Sequence, residues 1–262
     1  MTEAQLLPVI WTLASMTAAV LATLLISPAR LSQLRLSLGG RFLEQFFRLL
    51  YFVGLPYAAL LTRAISPIDM GLSGASGPIL GWTAAEWLHG LGNTLLVGVL
   101  ALLPLSWASW QIAKAGLPLK ADDRTAGAVM VDAIYSEVHW AFYRAAPLIL
   151  LSEVYGAMLV GALLVATEWL VVLVRNGLSN SVEERQTWLR RSAFLALSAT
   201  LFILTRNAWL IIGFHVVSEV VLKGWLAKVG RIPGPARETS LPAPPTSHHD
   251  SDVRPLHEHP PA

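Results

Sequence analysis

The side chains able to do chemistry in this chain sit where apolar residues would be expected. They are Glu137, His139, Arg144, Glu153 and Glu168 in one region, and Arg206, Asn207, His215 and Glu219 in another. A charge at the centre of a bilayer costs at least ~2.5 to 3.5 kcal/mol on insertion scales, so each such residue within a span is a functional candidate by default. Helical phasing sorts them. Glu137 and Arg144 are seven apart and fall within about 20° of each other, so they share a helix face about two turns apart. His139 falls roughly 200° from Glu137 and points elsewhere. His215 and Glu219, four apart, project together, an arrangement that suits metal coordination or a histidine oriented by a carboxylate. A lone histidine in a membrane helix also serves as an axial ligand to haem or a chlorophyll-type pigment, through its neutral imidazole nitrogen.

Each of these residues also has a plainer reading. Glu137 and Arg144 make an ion pair that neutralises both charges. His139 is an interfacial histidine beside Trp140 and Tyr143. Glu153 belongs to a polar turn over residues 152–156, and Arg206 with Asn207 forms a short turn between two spans. Glu168 stands alone as the ionisable group deep in its span.

The elements that must position these groups are membrane helices. Hydrophobic residues make up 54% of the 262 residues, charged residues only 14%, and there are ten tryptophans; mean hydropathy is +0.55. That composition excludes an ordinary soluble domain. Long apolar runs, rather than alternating strands of about ten residues, predict helices rather than a barrel. With no cysteine, disulfides, thiolate metal sites, iron–sulfur clusters and cysteine nucleophiles are excluded. No nucleic-acid motif is present, and the composition names no cofactor. The partners it implies are membrane lipids and other membrane proteins.

Apolar windows place spans near residues 6–27, 46–65, 91–112, 130–151, 153–174, 190–205 and 207–225, an all-α polytopic bundle of about seven crossings. The first run follows an acidic leader and exceeds a usual signal-peptide core, so it reads as a retained span. Basic residues gather between the first two spans (Arg30, Arg35, Arg41, Arg48), after the third (Lys114, Lys120, Arg124) and after the fifth (Arg175, Arg185, Arg190, Arg191), whereas residues 66–90 contain none. The positive-inside rule then puts the amino terminus outside and the carboxy terminus in the cytoplasm. The segment 66–90 is rich in Gly, Ser and Pro, and its second half, with Trp82, Trp87 and His89, reads as a short interfacial helix. Residues 1–228 form the transmembrane domain. Residues 229–262, rich in proline and carrying His248, His249, His257 and His259, lack the apolar surface for a core and read as a disordered cytoplasmic tail.

Two segments together resemble the CPBP family of intramembrane endopeptidases, the CAAX-prenyl-protease and bacteriocin-processing type. They are HWAFYR, residues 139–144, and RNAWLIIGFHVVSE, residues 206–219. The family carries Glu-Glu-x-x-x-Arg on one helix, Phe-x-x-x-His on a later one, and a final helix where Asn-Leu-Trp precedes His-x-x-x-Asn or Asp. Arg144 matches the motif arginine, with Phe142 and Tyr143 as its aromatic neighbours. Asn207, Trp209 and His215 match the last helix, and Glu219 stands where Asn or Asp is found. His139 and Trp140 occupy the places of the paired glutamates, and no Phe-x-x-x-His lies between the two segments. What the resemblance implies is a glutamate activating water for attack on a scissile carbonyl, with histidine and polar groups stabilising the oxyanion. The catalytic candidates are then Arg144, His215 and Glu219, with Glu137 as a substitute base from one or two turns away, and the binding candidates are His139, Glu168 and Asn207. The resemblance also implies residence in a bacterial inner membrane. With the paired glutamates missing, the expectation is a relative that has lost catalysis and acts through binding or assembly. The alternatives are a cofactor- or pigment-binding or structural subunit of a larger membrane complex, an active glutamic-type intramembrane protease, and a carrier.

Overall fold

The computed structural model describes residues 3–26, 36–75, 77–115, 124–176 and 182–229. The tail beyond Val229, with its four histidines, lies outside the described residues. Over the described residues the chain is all-helical, without strands, apart from two isolated bridges between residues 77 and 82. Among the described residues five helices are long and apolar enough to cross a membrane, which makes this an integral membrane protein. They are α1 (Glu3–Leu25), α4 (Ala84–Lys114), α6 (Val154–Asn176), α7 (Val182–Thr205) and α8 (Ala208–Val229).

The other helical stretches are built differently. Residues 38–61 form one continuous run, α2 (Leu38–Leu49), a π-helical turn (Leu50–Gly54) and α3 (Leu55–Leu61). Pro56 accounts for the wide turn. It has no N–H to give the carbonyl four residues back, and its ring crowds that turn; the register expands instead, and Leu55 N–H reaches Leu50 O. The turn brings Tyr51 and Phe52 together against His139, with ring centroids 4.8 and 5.1 Å away.

Helix α5 (Ala126–Leu151) is the centre of the bundle. It packs on α1, α6, α8 and the π turn, and every residue from His139 to Pro147 is buried. This explains its mixed composition. A helix wrapped by other helices need not offer lipid an apolar surface, so it can carry Glu137, His139 and Arg144. The peripheral helices show the reverse pattern: on α4, Leu95, Leu96, Leu100 and Leu103 are each at least 60% exposed, a stripe suited to lipid. Close approach to α5 depends on Gly161 of α6, where a Cβ would stand 3.1 Å from the Arg144 side chain.

The expectation of a separate interfacial helix near Trp82 and Trp87 is corrected. Helix α4 starts at Ala84 and runs unbroken for 31 residues. The cause is a complete capping box, in which the Thr83 hydroxyl accepts from Glu86 N–H while the Glu86 carboxylate accepts from Thr83 N–H. Trp87 then ties the helix to the preceding loop by donating to Ile79 O at 3.2 Å.

Two helical hairpins are joined by turns of the same design. After α5, Ser152 adopts a left-handed conformation (φ 52°), and Glu153 follows, accepting from Tyr155 N–H and Gly156 N–H at 2.7 and 2.6 Å. After α7, Arg206 is left-handed (φ 50°), and Asn207 follows, accepting from Trp209 N–H and Leu210 N–H at 3.0 and 3.3 Å. Left-handed backbone costs a non-glycine residue ~1 to 2 kcal/mol, and the caps that follow recover part of it. The loop over residues 66–82 lies on these turns. Gly71 O accepts from Ala208 N–H at 2.7 Å and Leu72 O from the Trp209 indole at 3.0 Å. Gly71 is itself left-handed (φ 72°), and any side chain there would strike the Phe202 ring.

Candidate functional site

The two faces of α5 carry two separate polar clusters, in keeping with the phasing of Glu137 against His139. On the first face Glu137 is the hub, its side chain 2% exposed. His215 of α8 reaches it with Nδ1 2.9 Å from Oε1. Since a carboxylate only accepts, the imidazole proton sits on Nδ1, and Nε2 faces Glu219 Oε1 at 3.9 Å. The other oxygen, Oε2, accepts from the Ser198 hydroxyl of α7 at 2.7 Å. Ser198 in turn accepts from Arg144 Nη1 at 2.7 Å, so a serine relays between glutamate and arginine. Arg144 Nη1 itself is 3.9 Å from Glu137 Oε2. Glu219 continues the chain to Arg190, 3.7 Å away.

Aromatic rings fix these groups. The imidazole of His215 is stacked between Phe194 (centroids 4.4 Å, 17°) and Trp140 (5.5 Å, 23°), so both its faces are covered. Arg144 lies over the Phe202 ring at 4.6 Å. Its Nε and Nη2 are buried without a protein partner, beside a void of only about 10 Å³, the size of one water probe.

The second cluster joins four elements around Glu168 of α6. Its carboxylate accepts from the hydroxyls of Tyr51, in the π turn, and Tyr143 of α5. His139 Nε2 lies 3.3 Å from Oε2, and the Tyr143 hydroxyl is 3.2 Å from Ser15 Oγ of α1. A π turn inside an α-helix often marks a functional position; here it supplies a phenol to a partly buried carboxylate.

Comparisons with family models, curated proteins and solved structures gave no match. The site is therefore read from its own geometry. Of the residues assigned from sequence, Glu137, Arg144, His215 and Glu219 do meet in one network, although they come from two helices with 56 residues between them, 152–207. Glu137 does stand near Arg144, two turns away along α5, at 3.9 Å and linked through Ser198. His139 and Glu168 meet each other instead, in the second cluster. Asn207 joins neither. Its carbonyl oxygen caps α8, so Asn207→Ala is expected to cost about 1 kcal/mol of stability, read by denaturant unfolding in mild detergent. A loss below ~0.3 kcal/mol would show that the cap contributes nothing beyond what solvent supplies.

Ser198, Phe194, Tyr51 and Ser15 escaped sequence reading. Hydroxyl and aromatic residues are common in membrane helices, and nothing local separates those that meet a buried charge. Among the described residues no group of three or more His, Asp or Glu side chains converges as a metal shell.

Proposed function

We propose that this protein is a non-catalytic relative of the CPBP intramembrane peptidases, acting in a membrane by binding or assembly. The observation that carries the reading is the state of Glu137. Both of its oxygens are bound by protein groups, His215 on one side and Ser198 on the other, at 2% exposure. A general base must hold water and a substrate carbonyl within hydrogen-bond reach. This carboxylate is instead the acceptor that holds α5, α7 and α8 together. The neighbouring void, about 10 Å³, is far below the size of a peptide.

In the proposed arrangement α5 and the 38–61 run also cross, giving seven spans. Helix α5, at 26 residues, is about 39 Å long. Supporting the topology, Asp132 near its start is paired by Arg48 and Arg124, a basic end of the bundle, while the loop over residues 66–82, without Lys or Arg, lies beyond its other end. The amino terminus is then outside and the carboxy terminus cytoplasmic, in a bacterial inner membrane.

The test uses purified protein in proteoliposomes with a prenylated CAAX peptide and a leader peptide. No cleavage is expected, and native mass spectrometry of protein drawn from its own membrane is expected to show an assembly heavier than the 28.4 kDa chain. Cleavage that disappears in Glu137→Gln would overturn the proposal, as would a chain that is monomeric in every mild detergent.

A further inference from the structure

A separate cavity lies at the loop end of the bundle, with the Phe202 ring standing between it and Arg144. It has a volume of about 410 Å³, opens to the surface, and is lined by residues 68–75 and Trp82 on one side and the two left-handed turns on the other. Arg206 lines it, exposed and lying over Phe202 with the guanidinium 5.8 Å from the ring centroid. Among the described residues no carboxylate pairs with it. Ser73 and Ser152 also line the cavity, and Leu148 and Phe202 give it an apolar wall.

We propose that this cavity binds a phosphodiester headgroup, with Arg206 as the anion's partner. Three observations point there. The first is a positive guanidinium without a counter-ion, at a site large enough for a headgroup; its planar fork matches phosphate oxygens in two-point contact. The second is the other charge in the lining, Asp69. It is partly engaged, accepting from Ser66 N–H and Oγ at 2.9 and 2.6 Å, and it leaves the lining near neutral overall. A singly charged diester, or a zwitterion whose ammonium faces Asp69, fits that balance; a doubly charged monoester does not. The third is the backbone. Arg206 and Ser152 each hold a side chain at a left-handed position where glycine would be the unstrained choice, and non-glycine residues in that conformation cluster at ligand sites. The apolar wall admits the start of an acyl chain, so a membrane lipid is one source of the headgroup and a soluble diester the other. The inference does not depend on the peptidase lineage.

The experiment titrates purified protein in mild detergent with phosphatidylethanolamine, reading bound lipid by native mass spectrometry. Arg206→Gln is expected to weaken binding by about tenfold or more. Arg206→Lys keeps part of the affinity. Arg206→Gly also loses binding, and because glycine favours the left-handed turn its thermal midpoint stays at or above that of the native protein, which separates ligand loss from misfolding. Arg63 provides the control: it is another exposed, left-handed arginine outside the cavity, and Arg63→Gln should bind as the native protein does. Competition by glycerophosphoethanolamine identifies a soluble diester as the ligand, and failure to compete identifies the lipid; both keep the phosphodiester at Arg206. Equal loss in the Arg63 and Arg206 variants, or no loss in either, overturns the proposal.

Discussion

Replacing Glu137 by leucine is expected to lower the unfolding free energy by about 3 to 5 kcal/mol, the largest effect of any single substitution in the bundle interior. The reason lies in what remains after the carboxylate is gone. His215 Nδ1 and the Ser198 hydroxyl lose their acceptor, and Arg144 stays buried as a cation without its neighbouring charge. Arg144 cannot recruit other groups, since its Nε and Nη2 already lack protein partners and the void beside it holds about 10 Å³. Solvent therefore cannot replace the lost contacts without moving α6, whose Gly161 already lies against the arginine. Glu137→Gln should cost less, because the amide oxygen still accepts from His215, but Ser198, which donates to the carboxylate, would have to accept from the NH₂ as well as from Arg144 and would leave its own proton without that acceptor. The decisive comparison is the double variant Glu137→Leu, Arg144→Met. Removing both charges should recover much of the loss, because an apolar replacement for a buried ion pair is often close to neutral. Reversible denaturant unfolding, followed by the fluorescence of the ten tryptophans, measures all three. A Glu137→Leu protein within ~1 kcal/mol of native would show that the network is hydrated and contributes little.

Membrane class and helix positions were legible because lipid imposes a constraint that acts on each segment alone: an exposed helix must be apolar along its length. Helices α1, α6, α7 and α8 accordingly fall near the apolar windows. Helix α5 was harder to read for the same reason. Its surroundings are protein, so its sequence answers to Glu168, His215 and Ser198 and not to lipid. Phasing along α5 could separate Glu137 from His139, because a rise of 100° per residue is a local rule. It could not supply their partners. Tyr51 reaches Glu168 only through a π turn, and Ser198 reaches Glu137 only through the packing of α7, neither of which has a one-dimensional signature. The shared face of Glu137 and Arg144 was legible as an ion pair two turns long; the serine that relays between them was not. Asn207 gives the opposite lesson. Its place before an apolar run is the ordinary signal of a helix cap, and the cap is what it makes.

The second large effect is expected at Glu168, and its relation to the first tests how α5 is organised. Glu168→Leu removes the acceptor of two tyrosine hydroxyls and the partner of His139, at an expected cost of about 2 to 4 kcal/mol. Tyr51 suffers most, because the π turn holds its phenol against α5 and α6, where the Glu168 carboxylate is its closest acceptor. The cluster of Glu168 shares no hydrogen-bonding residue with that of Glu137. Their single costs should therefore add to within ~0.5 kcal/mol in the double variant. Within the second cluster the outcome differs: Glu168→Leu and His139→Leu act on one pair, so their combination should cost less than the sum. Coupling above ~1 kcal/mol between Glu137 and Glu168 would instead mean that α5 shifts as a body when either face is disturbed. Trp140 provides the physical route for such a shift, since it follows His139 in sequence and stacks on His215. Additivity would mean that α5 separates two independent polar centres, and then a ligand or partner acting on one would leave the other's hydrogen bonds intact.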